Sequence, residues 1–189
     1  MGITHTSRTG KTYHLHAGTT KTGKPKYFFS TNPPAEPVDG IPDGFEVYEN
    51  VGGQVFLRRI PKQIIRPDEI QLVEAALLKH GEAWQYRAEV RKETIVVHEC
   101  GTDISGLNEM TISFRRRPLS EAEKNMFANY MAVLRFVLAD TDKRLFVTER
   151  FCFRGSIDDW IYLNGPAPLA EQIRKYIRHL GRESLYELY

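Results

Sequence analysis

Strand-forming and turn-forming residues alternate along the first third of the chain. Thr12-Tyr13-His14-Leu15-His16 and Lys26-Tyr27-Phe28-Phe29-Ser30 are rich in strand formers, and Gly18 to Pro25 between them supplies turn chemistry, so this segment predicts a β-hairpin. Thr31-Asn32-Pro33-Pro34-Ala35-Glu36-Pro37 can continue neither a helix nor a central strand and predicts a linker or an extended arm. A second hairpin is expected from Phe45-Glu46-Val47-Tyr48-Glu49, a turn over Asn50 to Gly53, and a return through Gln54 to Arg59.

The period then changes. Pro67 stands where a first helical residue would, and Asp68 and Glu69 fill the first turn. Ile70, Val73, Leu77 and Leu78 form a stripe at helical spacing, with Lys79, His80 and Gly81 at the stop. Trp84 to Cys100 has the composition of one long strand or of a hairpin broken near Arg91-Lys92-Glu93, and Met110 to Arg117 predicts another strand ended by Pro118. Ser120 and Glu123 have capping-box spacing. Phe127, Tyr130, Met131, Leu134, Val137 and Leu138 follow as an apolar stripe, which predicts a helix of about five turns. A strand over Met131 to Leu138 is the competing reading, because the run is nearly all apolar.

Beyond it, Leu145 to Phe153 and Asp158 to Leu163 predict strands. Pro168 opens a last helix, with Leu169, Ile173, Tyr176, Ile177 and Leu180 on one side and Gly181 at its end. Without regular βαβ alternation, the expected class is α+β: a mostly antiparallel sheet with about three helices packed on it, preceded by a small basic β-hairpin. The corresponding division is a hairpin over 1–31, a Pro-rich linker over 32–44 and an α+β domain over 45–189.

Composition narrows the class. At 189 residues with 41% hydrophobic and 11% aromatic residues the chain can build a core without staples, and its balance of 26 basic and 24 acidic residues argues against wholesale disorder. Two cysteines, Cys100 and Cys152, do not make a disulfide scaffold. No run approaches a membrane span, and Met1 to His5 lacks the apolar stretch of a leader, so a cytoplasmic protein that does not engage a membrane is expected.

Charge becomes informative once it is divided. Residues 1–35 hold Arg8, Lys11, Lys21, Lys24 and Lys26 and no acid; the first carboxylate is Glu36. Of the 26 basic residues, 21 therefore remain to face all 24 acids in the rest of the chain. A basic hairpin carrying Tyr13 and Tyr27 has the ingredients for nucleic acid: lysines on flexible stems for phosphate, and aromatic rings for unpaired bases. The expected nucleic-acid-binding set is Arg8, Lys11, Tyr13, Lys21, Lys24, Lys26 and Tyr27, with Arg115-Arg116-Arg117 and Arg174, Lys175 and Arg178 as possible extensions.

The sequence carries other chemistries more weakly. Arg8-Thr9-Gly10-Lys11-Thr12 imitates a phosphate loop, but His5 stands where the leading glycine belongs and strand residues follow. His14-x-His16 and His98-x-Cys100 would bring four metal ligands together if their strands paired. His98, Cys100 and Asp103 also include base, nucleophile and acid types, although neighbours on one strand face reach each other only loosely. Asp140-x-Asp142 and Asp158-Asp159 have the composition of turns. No catalytic or metal site, and no cofactor, is assigned from these. An enzyme or metal protein using His14, His16, His98 and Cys100 stays as an alternative to a non-catalytic polyanion binder. A second alternative is a protein-interaction or self-assembly module with a homo-oligomeric or protein partner, based on the tethered hairpin and the apolar tail Leu185-Tyr186-Glu187-Leu188-Tyr189.

Overall fold

A computed structural model describes residues 2–154 and 157–188; within that range the side chains of Phe153, Arg154 and Ile157 are left aside. The fold is α+β with antiparallel sheets, and the described residues form four α-helices where about three were expected. Contacts divide the chain into two units, one from residues 1–61 with 103–128, the other from 62–102 with 129–189. By contact, then, the break after the hairpins falls at Pro61, beyond the Pro-rich stretch at 32–44. The segment 103–128, within the expected 45–189 domain, joins the amino-terminal unit.

In the first unit, β1 (Thr4–Thr6), β2 (Thr12–Thr19) and β3 (Pro25–Ser30) form a sheet in that order, and β4 (Phe45–Glu49) pairs with β5 (Val55–Arg59). The short β1 extends the expected hairpin to three strands. The phosphate-loop mimic, residues 8–12, covers the β1–β2 turn and the first residue of β2: Gly10 N–H donates to the Ser7 carbonyl at 2.8 Å, and the strand runs on from Thr12. Two helices complete the unit, here numbered by chain order after α1 (Pro67–His80): α2 (Ile104–Arg115) and α3 (Glu121–Phe127).

Helix α2 replaces the strand expected over 110–117. Its origin is Asp103, whose side chain accepts the Gly106 N–H at 2.9 Å and caps the first turn. Its end is Arg116 in the left-handed region, with φ 55°.

The second unit is a five-stranded antiparallel meander of β6 (Tyr86–Arg91), β7 (Thr94–Cys100), β8 (Tyr130–Asp140), β9 (Leu145–Arg154) and β10 (Ile157–Pro168). Strand β8 overturns the long helix expected after Ser120. The capping box is real, with both Ser120–Glu123 bonds formed, but α3 stops at Phe127 and Ala128 is already extended. Beyond it Val133, Leu134, Phe136 and Leu138 are buried in the middle strand of the sheet. A run apolar at nearly every position satisfies a helical stripe by default, so the stripe had no power to discriminate; burial between two neighbouring strands decided the outcome.

Helices α1 and α4 (Leu169–Tyr176) bury Val73, Leu77, Leu169, Ile173 and Tyr176 in one core with Ile95, Val97, Phe136 and Phe146. Polar fasteners sit inside this apolar contact. Glu69 accepts the Arg66 N–H at 2.7 Å at the start of α1 and takes a two-pronged bond from Arg144, whose Nε lies 2.8 Å from Oε1. The tail is packed on its own unit: Leu185 is buried, Leu188 packs against the core, and the buried Arg150 donates to the Tyr186 and Leu188 carbonyls at 3.1 Å each. Tyr189 lies outside the described residues.

Gln172 is 0% exposed; its Nε2 donates to the carbonyls of Phe146 at 2.8 Å and Gly165 at 3.0 Å, and its Oε1 accepts from Thr148 at 2.9 Å. Gln172→Leu strands three polar groups in a dry core and is expected to cost about 2–4 kcal/mol in urea unfolding. A loss below about 1 kcal/mol would mean that these bonds are made to solvent as readily as to each other.

Candidate nucleic-acid interface

Strand parity sets which side chains of the first unit's sheet can meet a partner. Register pairs Leu15 with Phe29, Ala17 with Tyr27, His16 with Phe28 and Gly18 with Lys26. Tyr13, Leu15, Tyr27 and Phe29 therefore share one face, and His14, His16, Lys26 and Phe28 share the other. Leu15, at 1% exposure, identifies the first of these as the packed face.

The expected site residues fall into three groups on this frame. Arg8 is committed internally: its Nε donates to Glu49 at 2.6 Å, its backbone N–H donates to the same carboxylate at 3.0 Å, and Nη2 donates to the Asn50 carbonyl at 2.8 Å. Tyr13 is half-buried beside Leu15, and Tyr27 lies on the same face farther out, with 36% exposure. Lys11, Lys21, Lys24 and Lys26 are exposed, and none of them forms an ion pair among the described residues.

The loop that carries two of these lysines is built locally. Thr20 N–H donates to the Lys24 carbonyl at 2.8 Å, Thr20 Oγ1 accepts the Lys24 N–H at 3.1 Å, and Gly23 takes φ 76°, which a side chain would resist. Lys21 and Lys24 thus project from a structured tip.

An aromatic platform that residue types alone did not reveal lies on the outward face. The His16 ring stacks on Phe28 with centroids 5.0 Å apart and planes 16° from parallel, and Lys26 Nζ stands 5.1 Å from the Phe28 centroid. His16 Nε2 donates to the Asn32 carbonyl at 2.8 Å, which fixes the imidazole, while Phe28 remains 40% exposed. The alternation in β2 contained this signal. Tyr13, Leu15 and Ala17 on one side force the histidines to the other, and a partner opposite His16 must follow them.

The expected extensions divide between the two units. Arg117 grips Glu123 with two 2.8 Å bonds and Arg115 lies 3.5 Å from the same carboxylate. Arg174, Lys175 and Arg178 are exposed but belong to the second unit.

The metal alternative required β2 to pair with β7. Both edges of β2 are taken by β1 and β3, and both edges of β7 by β6 and β8, so that pairing does not exist. Among the described residues no three His, Cys, Asp or Glu side chains gather in a metal-holding group. His98 is 97% buried, with Nδ1 unpartnered and Nε2 3.8 Å from Glu89. Burial pushes its pKa down more than Glu89 pushes it up. Cys100 Sγ donates to the Thr102 carbonyl at 3.7 Å, so the described contacts do not join it to His98 as an activated thiol. Asp140 caps its own turn, accepting from Asp142 and Lys143 N–H at 2.9 and 2.8 Å.

No family model, curated protein or solved structure matches the chain. Among the described residues no helix is long and apolar enough to cross a membrane.

Glu49 links these charges to stability. Burial raises its pKa, but the Arg8 side-chain and backbone bonds outweigh that, and the net shift is downward from the ordinary 4.5. A depressed folded-state pKa means the stabilisation is fully present above the unfolded value and disappears as pH falls through the folded one. Glu49→Gln is expected to lower stability at neutral pH and to converge on the parent as pH falls below the ordinary carboxylate range through the folded-state value. Urea unfolding from roughly pH 7 to 3 measures this; a constant gap between the two proteins would contradict the pairing.

Proposed function

We propose that the chain binds nucleic acid through the outer half of the β2–β3 hairpin, without an intrinsic reaction. One observation carries this reading: Lys21, Lys24 and Lys26 are exposed on one hairpin with no acid partner among the described residues, and Lys26 stands over an exposed Phe28 ring stacked on His16. Lys11 adds a fourth exposed cation, unpaired among the described residues, at the β1–β2 turn. Phosphates meet mobile ammonium groups, which are tolerant of sequence, and an unpaired base finds a flat, oriented ring. Tyr27 sits at the margin of the opposite face and can contribute a second contact. Tyr13 and Arg8, in this reading, shape the hairpin and do not touch the ligand.

Engagement of four phosphates predicts a log–log salt slope near −3 for single strands and near −3.6 for duplex. Replacing Lys21 and Lys24 with Glu should flatten the slope by about two phosphates' worth. Fluorescence anisotropy of labelled oligonucleotides across a salt series reads both, and absence of binding at low salt eliminates the proposal. Phe28→Ala should weaken single-strand binding by roughly 5- to 100-fold and duplex binding far less, the loss of about one stacked base. Equal weakening of both would leave the lysines as the interface and remove the ring from it.

A further inference from the structure

The second unit contains a cavity of about 330 Å³ lined by Glu99, Cys100, Met131, Val133, Arg182 and Tyr186, with Glu183 at its wall. It lies where β7 ends beside the middle strand β8 and the chain leaves the last helix through Gly181. That glycine has φ 70°, and a Cβ on it would stand 2.7 Å from the Tyr86 hydroxyl. The close approach brings the Gly181 N–H onto the Glu99 carboxylate.

Glu99 is poorly compensated. A carboxylate offers about four acceptor positions, and here one backbone N–H is its only hydrogen bond among the described residues. Arg182 lines the same cavity yet forms no ion pair with Glu99 or Glu183 among the described residues. Burial pushes Glu99 above the ordinary carboxylate range, against the smaller effects of Gly181 and His80. Burial and the Glu99 charge in turn push Tyr86 up to about 12, so its hydroxyl stays a donor. The aliphatic part of the lining comes from β8: Val133 is buried, and Met131, the cross-strand neighbour of Glu99, is 45% exposed.

We propose that this cavity binds a small molecule bearing an alkylammonium group, with the nitrogen on Glu99 and the aliphatic stem along Met131 and Val133. A cation completes the unfilled acceptor set of a half-desolvated carboxylate, and the Tyr186 ring adds a cation-attracting face. An anion meets two carboxylates against one guanidinium. Glu99, Cys100 and Glu183 do not gather into a metal-holding group, and no such group of three occurs among the described residues. The volume, at the small end of ligand pockets, suits a short amine.

The site supplies its own reporter. Cys100 lines the cavity and is partly exposed, whereas Cys152 is buried and serves as the internal control. The intact chain is treated with iodoacetamide in the presence of butylamine, butanol or butyrate, and the carboxyl carbon of Glu99 is followed by NMR. Butylamine at up to roughly 10 mM should slow Cys100 alkylation severalfold and lower the Glu99 titration midpoint, while butanol and butyrate do neither. Glu99→Gln should weaken the protection roughly tenfold, the loss of one charge-assisted bond. Equal protection by all three compounds, or no protection together with an unmoved Glu99 midpoint, overturns the proposal. The NMR measurement on the parent chain decides the matter if the variant fails to fold.

Discussion

Strand β8 is the constraint around which the second unit is organised. It is the middle strand of five, paired along its length to β7 and β9, and it buries Val133, Leu134, Phe136 and Leu138. The β7–β8 register slips between Val97 and His98, so that both Val133 and Leu134, adjacent in sequence, can be buried. An apolar strand of this kind is stable only when covered, and the helical face of Val73, Leu77, Ile173 and Tyr176 covers it. The buried polar groups follow from that requirement. Gln172, Arg150 and the Glu69–Arg144 pair each tie a helix, the tail or a turn to the sheet, and each makes an otherwise sealed carbonyl or carboxylate satisfied.

The same strand shows how far the fold was legible in sequence. Hairpins were readable because their turns carry glycine and asparagine at the required positions, and α1 because its start, stripe and stop agree. Strand β8 was not, since a continuous apolar run fits both periods and only its neighbours choose between them. Helix α2 had a legible start in Asp103, but that residue type also fits an acid in a reaction, and Met110-Thr111-Ile112-Ser113-Phe114 alternates as a strand would. The assignment of 103–128 to the first unit depends on contacts between segments distant in the chain, which no local pattern encodes.

For the candidate interface, charge was legible and direction was not. The acid-free stretch 1–35 pointed to the exposed Lys11, Lys21, Lys24 and Lys26 but not to the pairing of Arg8 with Glu49, and separating Tyr13 from Phe28 needed the knowledge that Leu15 points inward. Once one strand's inward residue is fixed, parity and register fix every other side chain on the sheet. A hairpin sequence thus contains more directional information than its composition suggests, provided that one anchor is known.

The division of labour between arginine and lysine in the first unit strengthens the argument that the hairpin charge is meant for something outside it. Arg8 holds Glu49, Arg58 holds Glu46 at 2.8 Å while its guanidinium lies 3.9 Å from the Tyr48 ring centroid, and Arg117 holds Glu123. These forks are planar and directional, and they are used where a fixed internal geometry is needed. The hairpin lysines, by contrast, have four-carbon stems, no partner acid among the described residues and, at Lys21 and Lys24, a structured loop to project from. Among the described residues, Arg8, Arg58 and Arg117 are paired with acids, and Lys11, Lys21, Lys24 and Lys26 are not.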